Sequence, residues 1–211
     1  MKKLLLAIFA AVVLIGCASI PNQTSYSPRS EVHKLANGGG SGSGVVIAPG
    51  YVLTAAHVAV EPGLMIAGHG KDTGVVAAAG QGTLDLALLA YPKATASCPC
   101  AKLADNDAVV DEPVIVVGYP YGIAQVVTRG ESQGVRNIKV PDETGLSYTA
   151  EHRLVITAPA APGNSGGGVF AYRDGKWQLV GILTEAASQG NLSLAIPVSD
   201  IKKFLKPGLV S

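Results

Sequence analysis

The stretch GGGSGSGVVIAPGYVLTAAH, residues 38–57, decides the class of fold. Two short apolar runs, Val45–Ala48 and Tyr51–Thr54, are split by Pro49-Gly50, a pair that reverses the chain. Small residues then lead from the second run into His57. The pattern predicts a β-hairpin whose far end delivers an imidazole. Similar short runs recur downstream, from TGVVAAAG (73–80) and DLALLAY (85–91) to WQLVGILTEA (177–186) and LSLAIP (192–197). Between them lie PVIVVGYP, AQVVTRG, RLVITA and GGVFAY, most bounded by glycine, proline or polar turns. Asp174-Gly175 fits a two-residue hairpin loop. Many short strands without long helices between them point to an all-β barrel or sandwich. A helix is expected at the end, where Val198, Ile201 and Leu205, with Phe204, form a stripe at helical spacing.

Composition narrows the function. The chain has 211 residues, 48% of them hydrophobic, enough for a single domain with a real core. Its 16 basic and 15 acidic side chains form no block of like charge, which speaks against nucleic acid as a partner. Lys2 and Lys3 precede an apolar run from Leu4 to Ile15, too short to span a bilayer and suited to an export signal. The run ends in Leu14-Ile15-Gly16-Cys17, which resembles the lipobox of bacterial lipoproteins. That resemblance implies removal of residues 1–16 and lipidation of Cys17, leaving an exported protein anchored in the cell envelope. Ala18 after the cysteine implies the outer membrane if the host is diderm. Residues 17–37 are polar, with Pro21 and Pro28, and read as a flexible tether; residues 38–211 form the domain. Cys98 and Cys100 in SCPC are open to a disulfide, to free thiols or to an intermolecular link. No ligand spacing calls for a metal.

The chemistry centres on PAAPGNSGGGVF, residues 159–170. A serine hydroxyl is a weak nucleophile and needs an adjacent base. Of the four histidines, His33, His69 and His152 read as solvated, whereas His57 ends a strand among small residues. Asp85 opens DLALLAY and is an acid that can orient the imidazole; Asp72, in GKDTG, is the rival. The backbone amides of Gly163 and Ser165 can serve an oxyanion if the PGNSGG turn aims them inward.

Taken in order, GSGVVIAPGYVLTAAHV, DLALL, VGYPYG, PGNSGG and LAIPVSDIKKFL resemble segments of the trypsin/chymotrypsin-like serine peptidases, in the style of their bacterial HtrA-like branch. The likeness spans about residues 40–206. It implies two six-stranded antiparallel β-barrels with a short C-terminal helix, and a site in the cleft between the barrels. It also implies a catalytic set of His57, Asp85 and Ser165, an oxyanion hole at Gly163 and Ser165, polypeptide substrates and no cofactor. Segments that line the primary pocket in the family correspond to Ala160, Ala161, Leu183 and Thr184, which favours a small or medium apolar guest. Three features depart from parts of the family. Asn164 rather than Asp precedes the serine, with no IVGG-like activation end; a PDZ domain after Leu205 is not expected; and Gly168 stands where the family often has proline. The alternatives are a non-catalytic binding lipoprotein on the same fold and an esterase that uses the same residues.

Overall fold

The computed structural model describes residues 27–36, 39–60, 65–66, 73–81, 83–91, 98–141, 148–186 and 191–205. The export signal, Cys17, His69 and Asp72 lie outside these residues. Among the described residues, no helix is long and apolar enough to cross a membrane.

The first half holds β1 (Val32–Ala36), β2 (Ser41–Ala48), β3 (Tyr51–Thr54), β4 (Met65–Ile66), β5 (Val75–Ala79) and β6 (Ala87–Ala90). They form one antiparallel sheet in the order β4-β1-β2-β3-β6-β5. The second half holds β7 (Pro113–Gly118), β8 (Val126–Pro141), β9 (Tyr148–Ile156), β10 (Gly168–Arg173), β11 (Lys176–Ala186) and β12 (Ser193–Pro197). These close into a barrel in the order β10-β11-β12-β9-β8-β7. A short helix, α1 (Val198–Phe204), follows and buries Val198 and Ile201. Asp200 in its first turn and Lys202 and Lys203 in its last suit the helix dipole. The fold is thus mostly β, with one of the two expected six-stranded barrels closed among the described residues. The first half is a six-stranded sheet with no β4–β5 pairing among the described residues.

The Pro49-Gly50 hairpin forms as read, with Val45 opposite Leu53 and Val46 opposite Val52. Both faces of β2 are buried, so its apolar residues run together instead of alternating. Val45 and Leu53 join the cluster that contains Ile115, Val117, Phe170, Leu179 and Ile182 of the second half. Val46 and Val52 face a separate cluster with Leu35, Ala87 and Leu89. The first of these clusters spans both halves, and that shared core fixes one half against the other.

Two boundaries differ from expectation, and one open question closes. The tether assigned to 17–37 ends earlier, because Val32–Ala36 is strand β1, paired with Ser41–Val45. Its two fully buried apolar residues, Val32 and Leu35, stand three apart around His33-Lys34, so no alternation marks it as a strand. Asp85 does not open β6, which starts two residues later; it sits in the approach loop. Cys98 and Cys100 are paired with each other, with Cα atoms 5.2 Å apart.

Phe170 is 1% exposed and sits in the core cluster common to both halves. Truncation to alanine should cost about 3–5 kcal/mol. Urea unfolding of Phe170→Ala should give one shifted transition. Two separated transitions, or none shifted, would show that the halves do not share this core.

Candidate active site

Three loops bring the reactive side chains together. After β3 the chain runs through Ala55 into a single 3-10 turn, Ala56–Val58, which lifts His57 to a half-exposed position. Asp85 lies in the loop before β6, whose register against β3 pairs Ala87 with Thr54. This register carries the carboxylate to the imidazole. Asp85 accepts twice from the same residue: the His57 ring Nδ1 lies 2.7 Å from Oδ2, and the His57 amide donates to Oδ1 at 2.9 Å. A carboxylate on Nδ1 selects the tautomer that leaves Nε2 with a free lone pair.

The pair shifts both titrations. The Asp85 hydrogen bond is the main cause that raises His57 above its ordinary value; partial burial opposes it, and the charges of Asp85 and Glu185 add to it. For Asp85, burial alone would push the carboxyl up. The hydrogen bonds from the His57 ring and the His57 and Ala56 amides, with the imidazole's charge, outweigh burial and hold it low. Stability follows from the signs. The His57 contribution is present below the ordinary histidine value and is lost as pH rises through the raised one; the Asp85 contribution is lost as pH falls through the lowered one.

Asp85 is anchored from the other half. The buried Arg153 on β9 donates through Nη2 to the Thr83 carbonyl at 3.0 Å, and the Asp85 amide shares that carbonyl at 3.1 Å. Arg153 is itself ion-paired with Glu151 at 2.5 Å.

Ser165 lies in the turn between β9 and β10, and this turn is built into the seam between the halves. Its backbone carbonyl accepts from the Ser43 amide at 2.8 Å. Gly166, the next residue, packs so closely on β2 and β3 that an added Cβ would collide with the Ser43 carbonyl and the Thr54 hydroxyl. The nucleophile candidate therefore follows the strand end that leads to His57. The Ser165 hydroxyl, however, donates to the Thr184 carbonyl at 3.2 Å. Among the described residues it forms no hydrogen bond to His57.

The amides of Gly163 and Ser165 make no hydrogen bond among the described residues, while the carbonyls of the same peptide units are held elsewhere. The Pro162 carbonyl accepts from the Tyr121 amide at 2.6 Å, and the Asn164 carbonyl from the Gly167 amide at 2.8 Å. In a planar trans peptide, N–H and C=O point oppositely, so each held carbonyl fixes the direction of the neighbouring N–H. Gly163 has φ +93°, a conformation that side chains rarely adopt, and an added Cβ would stand 2.5 Å from the Tyr119 carbonyl oxygen. The Gly163 carbonyl accepts from the Ser43 hydroxyl at 2.8 Å, and that hydroxyl accepts from the Tyr119 amide at 2.9 Å. The arrangement leaves two adjacent donors free for an anion next to a serine hydroxyl, with a base and its carboxylate across the seam.

Of the expected pocket residues, Thr184 lends its carbonyl to Ser165, and Ala160 and Ala161 are half-buried. Leu183 is buried in the barrel core and so presents backbone, not a free side chain, on that wall. Sequence reasoning missed Ser43, hidden in a glycine-serine run that reads as linker, and the role of Tyr121. Glu185 is exposed and close enough for its charge to act on His57. His152 is not simply solvated: its Nδ1 lies 2.6 Å from Asp200 Oδ2.

Comparison with known proteins bears on the fold and the family. A 36% identical stretch of 129 residues matches a protein named "Serine protease HtrA-like" from Staphylococcus aureus strain USA300, and the same match recurs in strain NCTC 8325. It covers 56% of this chain but only 16% of the relative, so the chain spans about one-sixth of those relatives' length. Among solved structures, the Rv3671c protease of M. tuberculosis in its active form superposes with a TM-score of 0.72 at 24% identity, over 84% of this chain and 80% of that one. A serine endoprotease from Yersinia pestis gives 0.65 at 22% identity, over 85% and 64%. At these identities the structures speak for the fold alone. The model of the trypsin-like peptidase domain matches residues 42–182, and the chain belongs to that family.

Proposed function

We propose that the protein is a serine endopeptidase that cleaves polypeptides through an acyl-enzyme on Ser165, with His57 as base and Asp85 as its orienting carboxylate. One observation carries the reading: the His57–Asp85 pair, with its 2.7 Å contact, stands at the seam into which the Ser165 turn is hydrogen-bonded. In this reading the Ser165 hydroxyl exchanges the Thr184 carbonyl for His57 Nε2 as substrate binds, at a net cost of about 1 kcal/mol for the bond given up. Such contacts are commonly loose before substrate binds. The hydroxyl oxygen attacks the scissile carbonyl as its proton passes to Nε2. The oxyanion accepts from the Gly163 and Ser165 amides. Collapse breaks the C–N bond, and the leaving amine takes the proton from His57. Water, deprotonated by the same imidazole, then hydrolyses the ester. Asp85 stays ionised and stabilises the imidazolium. Acyl transfer of this kind requires no cofactor.

The reading extends beyond the site. A small or medium apolar side chain occupies the primary pocket beside Ala160, Ala161 and Thr184. Closure of the β1–β6 sheet into a second barrel is part of it. So is an acyl anchor on Cys17, which holds the domain to the envelope and which rests on the Leu14–Cys17 motif.

Incubation with a fluorophosphonate probe should label the wild type at Ser165 and leave Ser165→Ala unlabelled. Equal labelling of both would remove Ser165 as nucleophile. Because His57 is raised, kcat/KM for a peptide substrate should rise with pH with a midpoint above the ordinary histidine value of about 6.5. Glu185→Gln should move that midpoint down; a pH-independent profile would exclude His57 as the base. A Cys17→Ser protein should leave the membrane fraction, and unchanged fractionation would end the anchor proposal.

A further inference from the structure

The amide that fixes the Pro162 carbonyl belongs to a loop which is itself held from outside the site. Tyr121 has φ 54° and ψ 16°, left-handed values that a bulky residue keeps only where its surroundings over-determine them. The surroundings that do so are residues 29–34, inside the segment expected as tether. Gln125 Nε2 donates to the Arg29 carbonyl at 2.7 Å and to the Val32 carbonyl at 2.9 Å. Arg29 Nη1 returns a longer bond to the Gln125 carbonyl at 3.3 Å. Lys34 Nζ donates to the Gly122 carbonyl at 2.6 Å, next to Tyr121. A continuous path of hydrogen bonds therefore runs from Arg29–Lys34, through the 119–125 loop, to the Pro162–Gly163 peptide.

We infer that the segment Arg29–Lys34 is a strap that keeps the oxyanion turn aligned, with Lys34 and Gln125 as positioning residues that touch no substrate. The inference rests on the serine-peptidase reading of the site. Gly163, lacking a Cβ, offers little intrinsic resistance to rotation of the Pro162–Gly163 peptide unit. Such rotation would turn the Gly163 N–H out of the hole and the Pro162 carbonyl into it. The Tyr121 amide opposes this as long as the 119–125 loop keeps its place. Slackening the strap lowers the fraction of molecules with the hole formed, while His57, Asp85 and the pocket walls stay as they are. The strap is continuous in sequence with the segment that carries Cys17, so it also links that segment to the oxyanion donors.

The test uses the full chain with Lys34→Met, Gln125→Leu and the conservative Lys34→Arg. Hydrolysis of a peptide p-nitroanilide with alanine or valine at the scissile position gives kcat and KM, and fluorophosphonate labelling carried to its end point counts folded sites, because each folded molecule samples the formed hole during the labelling. Loss of one oxyanion donor from alignment predicts a fall in kcat of about 10-fold or more for Lys34→Met and Gln125→Leu, with KM within about 2-fold. The affinity for a peptide aldehyde, whose adduct places an oxyanion in the hole, should fall in step. The pH midpoint should not move, since it belongs to His57 and Asp85, and Lys34→Arg should recover most of kcat. Wild-type kcat in both disruptive variants overturns the strap, as does a loss of activity matched by an equal loss of titratable sites, which would mean simple unfolding. A wild type that neither turns over nor takes the probe overturns the serine-enzyme reading, and the strap with it.

Discussion

Everything at the site depends on Ser43. Its backbone amide donates to the Ser165 carbonyl, its hydroxyl donates to the Gly163 carbonyl and accepts from the Tyr119 amide, and its own carbonyl accepts from the Thr54 hydroxyl at 2.7 Å. One fully buried side chain and its peptide units thus tie together β2, the end of β3, the 119–122 turn and the turn that bears Ser165. Each of these bonds lies in a water-poor seam, where an unpaired partner would cost more than the bond contributes. The seam is therefore close to all-or-none: the turn with the nucleophile candidate seats against the strand end with His57, or several buried polar groups go unmet.

The electrostatics build on that geometry. The imidazole and the Asp85 carboxylate shift in opposite directions, one raised and one lowered, as befits a pair whose charged form is favoured by contact. Arg153, from the barrel, holds the Asp85 loop through Thr83, so the first half's carboxylate is positioned by the second half's strand. The shared core of Leu53, Phe170 and Ile182 gives this cross-linking a rigid base. A base raised above its ordinary value by its carboxylate partner and two free amides suit a reaction in which negative charge develops on oxygen as a proton moves to nitrogen.

How much of this was legible in the sequence depended on whether the signal was local. The hairpin at Pro49-Gly50, the Asp174-Gly175 turn and the amphipathic end helix were readable, because turn chemistry and periodicity act over a few residues. So was the pairing of His57 with Asp85, since a lone acid ahead of an apolar run needs a partner. Strand β1 was not, as Val32 and Leu35 break the two-residue period and its pairing with Ser41–Val45 supplies what its own residues do not. Ser43 was invisible for a related reason. Its role comes from four partners distant in sequence, and its neighbours resemble a flexible linker. The second closed barrel came from family resemblance, and the pairing among the described residues closes only one.

The most direct measurement is a crystal structure of the full domain carrying a tetrahedral phosphonate adduct on Ser165. The account predicts a phosphoryl oxygen within about 3.1 Å of both the Gly163 and the Ser165 amide nitrogens, with His57 Nε2 turned toward the adduct and its Nδ1 still on Asp85. An adduct whose oxygen points to solvent, with the Pro162 carbonyl rotated into the hole or His57 parted from Asp85, would contradict it.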